Sequence, residues 1–333
     1  MEDPIARLFF HGTPDPQRKE LAMLIRRLST SSLLAGLLGL TLLLSACGGA
    51  SVSSNSSKIT AGQVLQKAIA SMQKLKTAHM DFSVTENLQM QSQGTATPTS
   101  QSSVLPSNLA LSLQGSGDEI FPGQASAQMK LSIPGLGTDL QLNEIVKDGK
   151  VYIQNKQGQW YVLEQSSLTG TSSFLEAANS DQYSRLLTLA QKAQLTDHGD
   201  QPLHGQSLRH ISVSFGKDAL KDLLNSFEQL PSGLSQSDLQ QIEQVTTLQQ
   251  ADLELWIDEQ SFYVHELGIT LKMDIDLNKL LQTTPTTSSP SLSGVFSTQT
   301  AATVDYSKFN QPVTINAPAN ATPTDNPLTI FQQ

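Results

Sequence analysis

The chain predicts an α+β fold, a strongly curved antiparallel β half-barrel with amphipathic helices packed on its concave face. Three observations lead there. Long stretches alternate apolar and polar residues with a period of two, so each strand has one greasy face and one wet face. Short Gly- and Asn-containing turns join several of these stretches, as antiparallel neighbours require. Capped segments with helical spacing are available as cover, and a sheet with a single apolar side must hide it under helices or by curling.

The first ordered element is a helix within Ile59 to Lys76. Thr60 and Gln63 form a capping box, and Val64, Leu65, Ala68, Ile69, Met72 and Leu75 recur on one face. From His79 the period becomes two. Met80, Phe82, Val84, Leu88 and Met90 alternate with His79, Asp81, Ser83, Thr85, Asn87 and Gln89. Leu109, Leu111 and Leu113 repeat the pattern, followed by Ala125, Ala127, Met129, Leu131 and Ile133, then by Leu140 and Leu142. Asp148-Gly149 turns the chain into Val151-Tyr152-Ile153, and Asn155 to Gly158 turns it again into Trp160 to Leu163, an antiparallel meander.

The middle of the chain reads as helical. Ser173 and Glu176 form a second capping box ahead of Leu175, Ala178, Leu186, Leu187 and Ala190. A strand ending at Phe215 precedes a leucine face of Ala219, Leu220, Leu223, Leu224 and Phe227, and a further helix from about Ser235 carries Leu239, Ile242 and Val245. Two clear strands follow. In the first, Leu253, Leu255 and Ile257 alternate with Asp252, Glu254, Trp256 and Asp258. In the second, Leu267, Ile269, Leu271, Met273, Ile275 and Leu277 alternate with charged or polar residues from Glu266 to Asp276. A slip of one residue would bury several charges, so this register is strongly specified. In all, roughly ten strands are expected.

The N-terminus carries a different kind of signal. Arg26 and Arg27 precede a mostly apolar run from Leu33 to Leu44, and small residues lead into Cys47, the sole cysteine. This order resembles the lipobox of bacterial lipoproteins, which implies cleavage before Cys47 and acylation of that residue, with palmitate among the expected chains. The run is shorter than the ~20 residues of a membrane span and contains Gly36, Gly39 and Thr41. Acidic residues before Met23 suit a signal poorly, so the start is expected at Met23, and the arginine pair is read as an ordinary basic n-region rather than a twin-arginine signal. Residues 1–46 are thus read as a signal peptide, 47–59 as a lipidated flexible tether, 60–315 as a single domain and 316–333 as a polar disordered tail.

Without residues 1–46, 16 basic and 26 acidic side chains are left, a net charge of −10. Such a surface repels nucleic acid and anionic headgroups, so acylation rather than a basic patch must hold the chain at a membrane. With its one cysteine given to lipid, the mature chain forms no internal disulfide.

Several segments mimic active sites. Ser71-Met72-Gln73-Lys74 matches a Ser-x-x-Lys motif, but its companion motifs are absent and an amphipathic helix accounts for it. Asp274, Asp276 and Asn278 open like a calcium loop, yet Lys279 stands where glycine is needed and Pro285 where the bidentate acid belongs. Gly135-Leu136-Gly137 lacks the third glycine of a dinucleotide loop. His198, His204 and His210 are evenly spaced, but along an extended chain the last two are ~20 Å apart, so solvated histidines are expected. No catalytic residues, cofactor or metal are expected, and the chain is read as a non-enzyme.

The helix running into Thr77-Ala78-His79-Met80-Asp81-Phe82, then Asp148-Gly149-Lys150-Val151-Tyr152 with Trp160-Tyr161, and later Leu255-Trp256-Ile257-Asp258 before a long alternating strand, resemble the LppX/LprG-type lipoproteins of mycobacteria and the wider LolA-like carriers. The resemblance implies an apolar cavity between sheet and helices that takes up lipid acyl chains or a lipoglycan. Lining residues would be Phe82 and Val84, Leu111 and Leu113, Met129 and Leu131, and Leu255, Ile269, Leu271 and Met273, with Leu223 and Phe227 as a movable cover. By pattern alone, a core filled by these same side chains is equally compatible. The leading expectation is a monomeric lipid-binding lipoprotein anchored through Cys47 on the extracytoplasmic face of the cell membrane. Its alternative is a solid structural or sensory envelope lipoprotein that binds other proteins through polar loops.

Overall fold

The computed structural model describes residues 59–91, 108–134, 138–164, 187–227, 236–282, 294–324 and 330. Helix α1 (Ala61–Met72) opens the described chain with both halves of its capping box formed: Thr60 Oγ1 accepts from the Gln63 N–H, and the Gln63 side chain accepts from the Thr60 N–H at 2.9 Å. Six strands follow: β1 (Thr77–Gln91), β2 (Asn108–Ile120), β3 (Gln124–Ile133), β4 (Thr138–Lys147), β5 (Lys150–Gln154) and β6 (Trp160–Glu164). The second half comprises β7 (Gln194–Leu203), β8 (Gln206–Ser214), α2 (Leu220–Phe227), α3 (Gln236–Val245), β9 (Thr246–Ile257), β10 (Val264–Asp276), α4 (Leu277–Gln282), β11 (Val295–Ser307) and β12 (Thr322–Pro323).

Among the described residues, twelve strands belong to one open, curved sheet in the order β12-β6-β5-β4-β3-β2-β1-β11-β10-β9-β8-β7. Two meanders therefore meet at the β1–β11 pair, where thirteen residues match from His79 with Ser307 to Gln91 with Val295. The pairs are antiparallel except for the two-residue contact of β12 with β6.

Period-two alternation puts one class of residue on one face. A row of directly opposed apolar side chains crosses nine strands: Leu140, Leu131, Leu113, Val84, Ala302, Ile269, Leu253, Val213 and Leu195. The parallel row through Phe82, Val304, Leu267, Leu255 and Ile211 is buried throughout. Val64, Leu65, Ala68 and Met72 of α1 and Leu220 and Leu223 of α2 join these strands in one continuous core, so the helices cover the same face. In the row of Phe82, Gly115 of β2 has no side chain to offer. A Cβ there would lie 2.5 Å from the Phe82 ring and 2.5 Å from the Gln128 carbonyl oxygen, so glycine lets the ring and β3 close in.

Two strands differ from expectation. The segment β7 is mostly polar, with Leu195 its apolar contribution to the inner face, and forms a sheet edge, so it shows no clear alternation. The strand β11 is central, yet Thr298 and Thr300 stand between Phe296 and Ala302 on its inner face, which breaks the greasy pattern that marks a buried strand. Residues 316–333, expected as a disordered tail, are placed in part against the sheet: Thr322 and Pro323 pair with Tyr161 and Val162, and the Thr324 N–H bonds the Val162 carbonyl at 3.0 Å. Their polar composition hides this edge contact. The second capping box at Ser173 and Glu176 lies outside the described residues.

At the end of the sheet that carries α1, Arg209 on the inner side of β8 ties together three parts of the chain. Its guanidinium donates to both carboxylate oxygens of Asp197, the Nε bond measuring 2.8 Å, and also to Glu259 in the β9–β10 turn. It reaches the Ile59 carbonyl, at the entry to α1, at 3.4 Å. Arg209 is 8% exposed, so its charge depends on these partners. Its acidic partners keep some water, with the Asp197 and Glu259 side chains 30% and 19% exposed, so losing these charge-assisted hydrogen bonds costs about 1.5–3 kcal/mol. Arg209→Ala is expected to lower the urea midpoint by a destabilisation of about that size, whereas a change at the exposed Lys130–Asp139 pair leaves the curve in place.

Candidate ligand-facing surface of the sheet

Eleven of the twelve expected lining side chains come to one side, ten on the inner face of the sheet and Leu223 on α2. Phe82, Val84, Leu113, Met129, Leu255, Ile269, Leu271, Met273 and Leu223 are buried in the common core, and Leu131 packs against it half-buried. Leu111 lies on the same face beside Glu86 and is also half-buried, outside that core. Phe227 ends α2, and its side chain lies outside the described residues. Cys47 and the apolar run before it also lie outside them. Among the described residues no helix is long and apolar enough to cross a membrane.

The apolar face is interrupted where the two meanders meet. Glu86 sits in phase with Phe82 and Val84, opposite Leu111 on β2 and Thr300 on β11, and is 4% exposed. Thr298 and Thr300 follow one another on the same face of β11. Their hydroxyl oxygens are buried without a hydrogen-bond partner among the described residues. Glu119, opposite Ala78 and Ala125, is fully buried, and its Oε2 is likewise unpartnered. Buried polar atoms without partners are rare, because each retains its desolvation cost, and they mark places where water or a ligand group completes the bonding.

Burial dictates their charge. Desolvation alone raises the Glu86 carboxyl to about 7, and it pushes Glu119 well above the usual carboxylate range. These carboxyls are therefore hydrogen-bond donors as well as acceptors in mildly acidic surroundings. Sequence reasoning passed over Glu86, although its even position in the alternation of β1 was a readable sign. Arg209, Asp197 and Glu259 had no such sign, since only the folded register joins them.

Two of the mimics are accounted for by structural hydrogen bonds. Ser71 Oγ donates to the Ser261 carbonyl at 2.9 Å, which anchors α1 to the β9–β10 turn. Asp276 accepts from the N–H groups of Asn278 and Lys279 and caps α4, while Asp274 accepts from Ser297 Oγ at 2.6 Å. Gly135-Leu136-Gly137 lies outside the described residues. His204 and His210 belong to different clusters, as their spacing implies, but they are not isolated in solvent. His204 Nε2 is 2.8 Å from Asp305 Oδ1, and His210 Nε2 is 2.6 Å from Glu254 Oε2.

Fold and surface together define an α+β protein with an open, curved, one-sided sheet whose apolar face is covered by amphipathic helices. More specifically, the chain belongs to DUF6612, a family of unknown function, which matches over residues 60–325. No curated protein matches the sequence. Among solved structures it is similar to LprF from Mycobacterium bovis, with 14% identity and a TM-score of 0.41 over 78% of this chain and 96% of that one. It is also similar to the Mycobacterium tuberculosis lipoprotein LppX, with 12% identity and a TM-score of 0.36 over 77% of this chain and 100% of that one.

A carboxyl that keeps its proton to about pH 7 when folded, against 4.5 when unfolded, favours the folded state fully only below the lower value. Stability must then fall as pH rises from 4.5 to about 7, with Glu86 accounting for about 3 kcal/mol and Glu119 acting in the same direction. Glu86→Gln is expected to flatten this slope in urea titrations at a series of pH values. A slope identical to that of the parent contradicts the assignment.

Proposed function

We propose that this protein is a membrane-anchored lipoprotein that binds or carries lipid acyl chains between its helices and the apolar face of its sheet. The supporting observation is the row of opposed apolar side chains that crosses nine strands beneath the helices. A surface of that breadth matches the flat, extended, non-directional character of an acyl chain, for which transfer from water contributes about 0.8 kcal/mol per methylene. Methionines such as Met129 and Met273 adapt to chains of different length and shape. The buried hydroxyl and carboxyl groups of Thr298, Thr300 and Glu86 offer a polar point at which a lipid's ester or hydroxyl group is held.

Location follows from the N-terminal segment. Cleavage before Cys47 and multiple acylation hold the body at the extracytoplasmic face of the cell membrane, since one chain alone anchors weakly and two or more anchor stably. The ten residues from Gly48 to Ser57 reach at most about 35 Å, which keeps the domain close to the bilayer it serves. In this reading the protein acts as a monomer on a lipid or lipoglycan and performs no covalent chemistry.

Native mass spectrometry of protein purified from cells tests the carrier reading directly. A lipid adduct that disappears after organic extraction is expected. Protein free of lipid, with no uptake from mixed micelles, leaves only an acyl-anchored scaffold that binds other proteins. Labelled palmitate is expected to enter the parent chain but not Cys47→Ser, which leaves the membrane fraction.

A further inference from the structure

The wet face of β7, β8 and β9 brings two imidazoles and a carboxylate together far from the greasy side. In β8 and β9 the inner residues are Ile211, Val213, Leu253 and Leu255, so His210, Ser212 and Glu254 project to the opposite side. A bulge in β7 adds His198 to them. The register shifts between Asp197 and Gly199, Gly199 has φ 73°, and the Asp197 carboxylate accepts from the Gly199 N–H at 3.0 Å. The extra residue lets Asp197 turn inward to Arg209 while His198 stacks on His210, with ring centroids 4.5 Å apart.

The polar atoms converge on Ser212. His198 Nε2 is 2.6 Å from Ser212 Oγ, which donates to Glu254 Oε2 at 2.7 Å, and His210 Nε2 meets that same carboxylate oxygen at 2.6 Å. One donor atom from each of His198, His210 and Glu254 lies within 4.8 Å of the others. Behind them, Gln201 Oε1 is 3.1 Å from His210 Nδ1. In the ion-free arrangement Nε2 donates to the Glu254 carboxylate; a bound metal takes the place of that proton, and Gln201 accepting from Nδ1 then keeps the Nε2 lone pair aimed at the cluster, as second-shell partners of metal ligands do. Trp256 holds the His210 ring in place from the other side, stacked at 4.1 Å and 4°.

We propose that His198, His210 and Glu254 form a binding site for one divalent transition-metal ion of the zinc or copper class. Two imidazole nitrogens and one carboxylate oxygen are a donor set that suits these ions, whereas magnesium and calcium prefer oxygen alone. In a tetrahedral arrangement with bonds of about 2.0–2.2 Å, the exposed His198 ring swings out of its stack on His210 to bring its nitrogen to the ion, and water takes the fourth place. His198 is exposed, so the ion enters directly from solvent. The second histidine cluster, His204 with Glu266 and Asp305, has a single nitrogen donor and serves as the internal control. The site lies on the face opposite the proposed lipid surface, so each stands or falls separately.

The test uses the full chain in detergent with Cys47→Ser, so that no thiol competes, and titrates zinc chloride by calorimetry beside magnesium chloride. One zinc ion per chain is expected. His198→Ala and His210→Ala should each weaken binding about tenfold or more, and His204→Ala should leave it unchanged. Copper(II) should quench Trp256 fluorescence in a Trp160→Phe background, with the quenching lost in the same two variants. Should alanine at position 210 disturb folding by circular dichroism, Glu254→Gln keeps the shape of the cluster and removes its charge, and it too should weaken zinc binding. Zinc held no tighter than magnesium, binding retained after His198 and His210 are both replaced, or binding lost in His204→Ala overturns the proposal.

Discussion

The pairing of β1 with β11 is the contact on which the rest of this structure depends. It joins residues more than two hundred positions apart in thirteen matched pairs and turns two separate meanders into one sheet. Each half alone would leave a sheet edge of unpaired backbone groups at its centre. The row from Leu140 to Leu195 exists only because Val84 on β1 faces Ala302 on β11. A shift of one residue there would turn Asp81, Asp305 and their neighbours into the core. Such a long-range pairing is entropically late to form, so most of the loop-closure cost of the fold falls on this one seam.

That seam was also the least legible part of the sequence. Elements with a strong period could be read directly: the capping box of α1, the alternation of β1 and β10, and the Asp148-Gly149 turn, whose two residues have φ of 53° and 72°. In β11 the inner positions run Phe296, Thr298, Thr300, Ala302, Val304 and Tyr306, so two threonines and a small alanine separate the large apolar residues and no unbroken greasy run announces a central strand. The edge strand β7 failed for the opposite reason, having little to bury. One-sided greasiness, and with it the fold class, was visible because it is a local property. Strand order was not, because it is decided by which greasy faces share a core.

Site residues divide the same way. The apolar strand positions from Phe82 to Met273 follow from period two and share one face. The buried polar groups among them are exceptions to the pattern, and a reading that collects apolar residues passes over Glu86 because it breaks the list. The histidine clusters are further out of reach. Histidines in regular spacing along the chain suggested a comparison of His204 with His210, whereas the fold pairs His198 with His210 through a bulge and brings in Glu254 from a third strand.

A direct measurement of where an acyl chain sits tests the central claim. Leu131 and Lys130 are neighbours on β3, one half-buried on the inner face and one exposed on the outer. With Trp160 and Trp256 replaced by Phe, a single tryptophan is placed at either position and phospholipid with brominated acyl chains is added. Strong quenching at position 131 and none at position 130 is the predicted result. Equal quenching at both positions, or none at position 131, contradicts acyl binding on the inner face of the sheet.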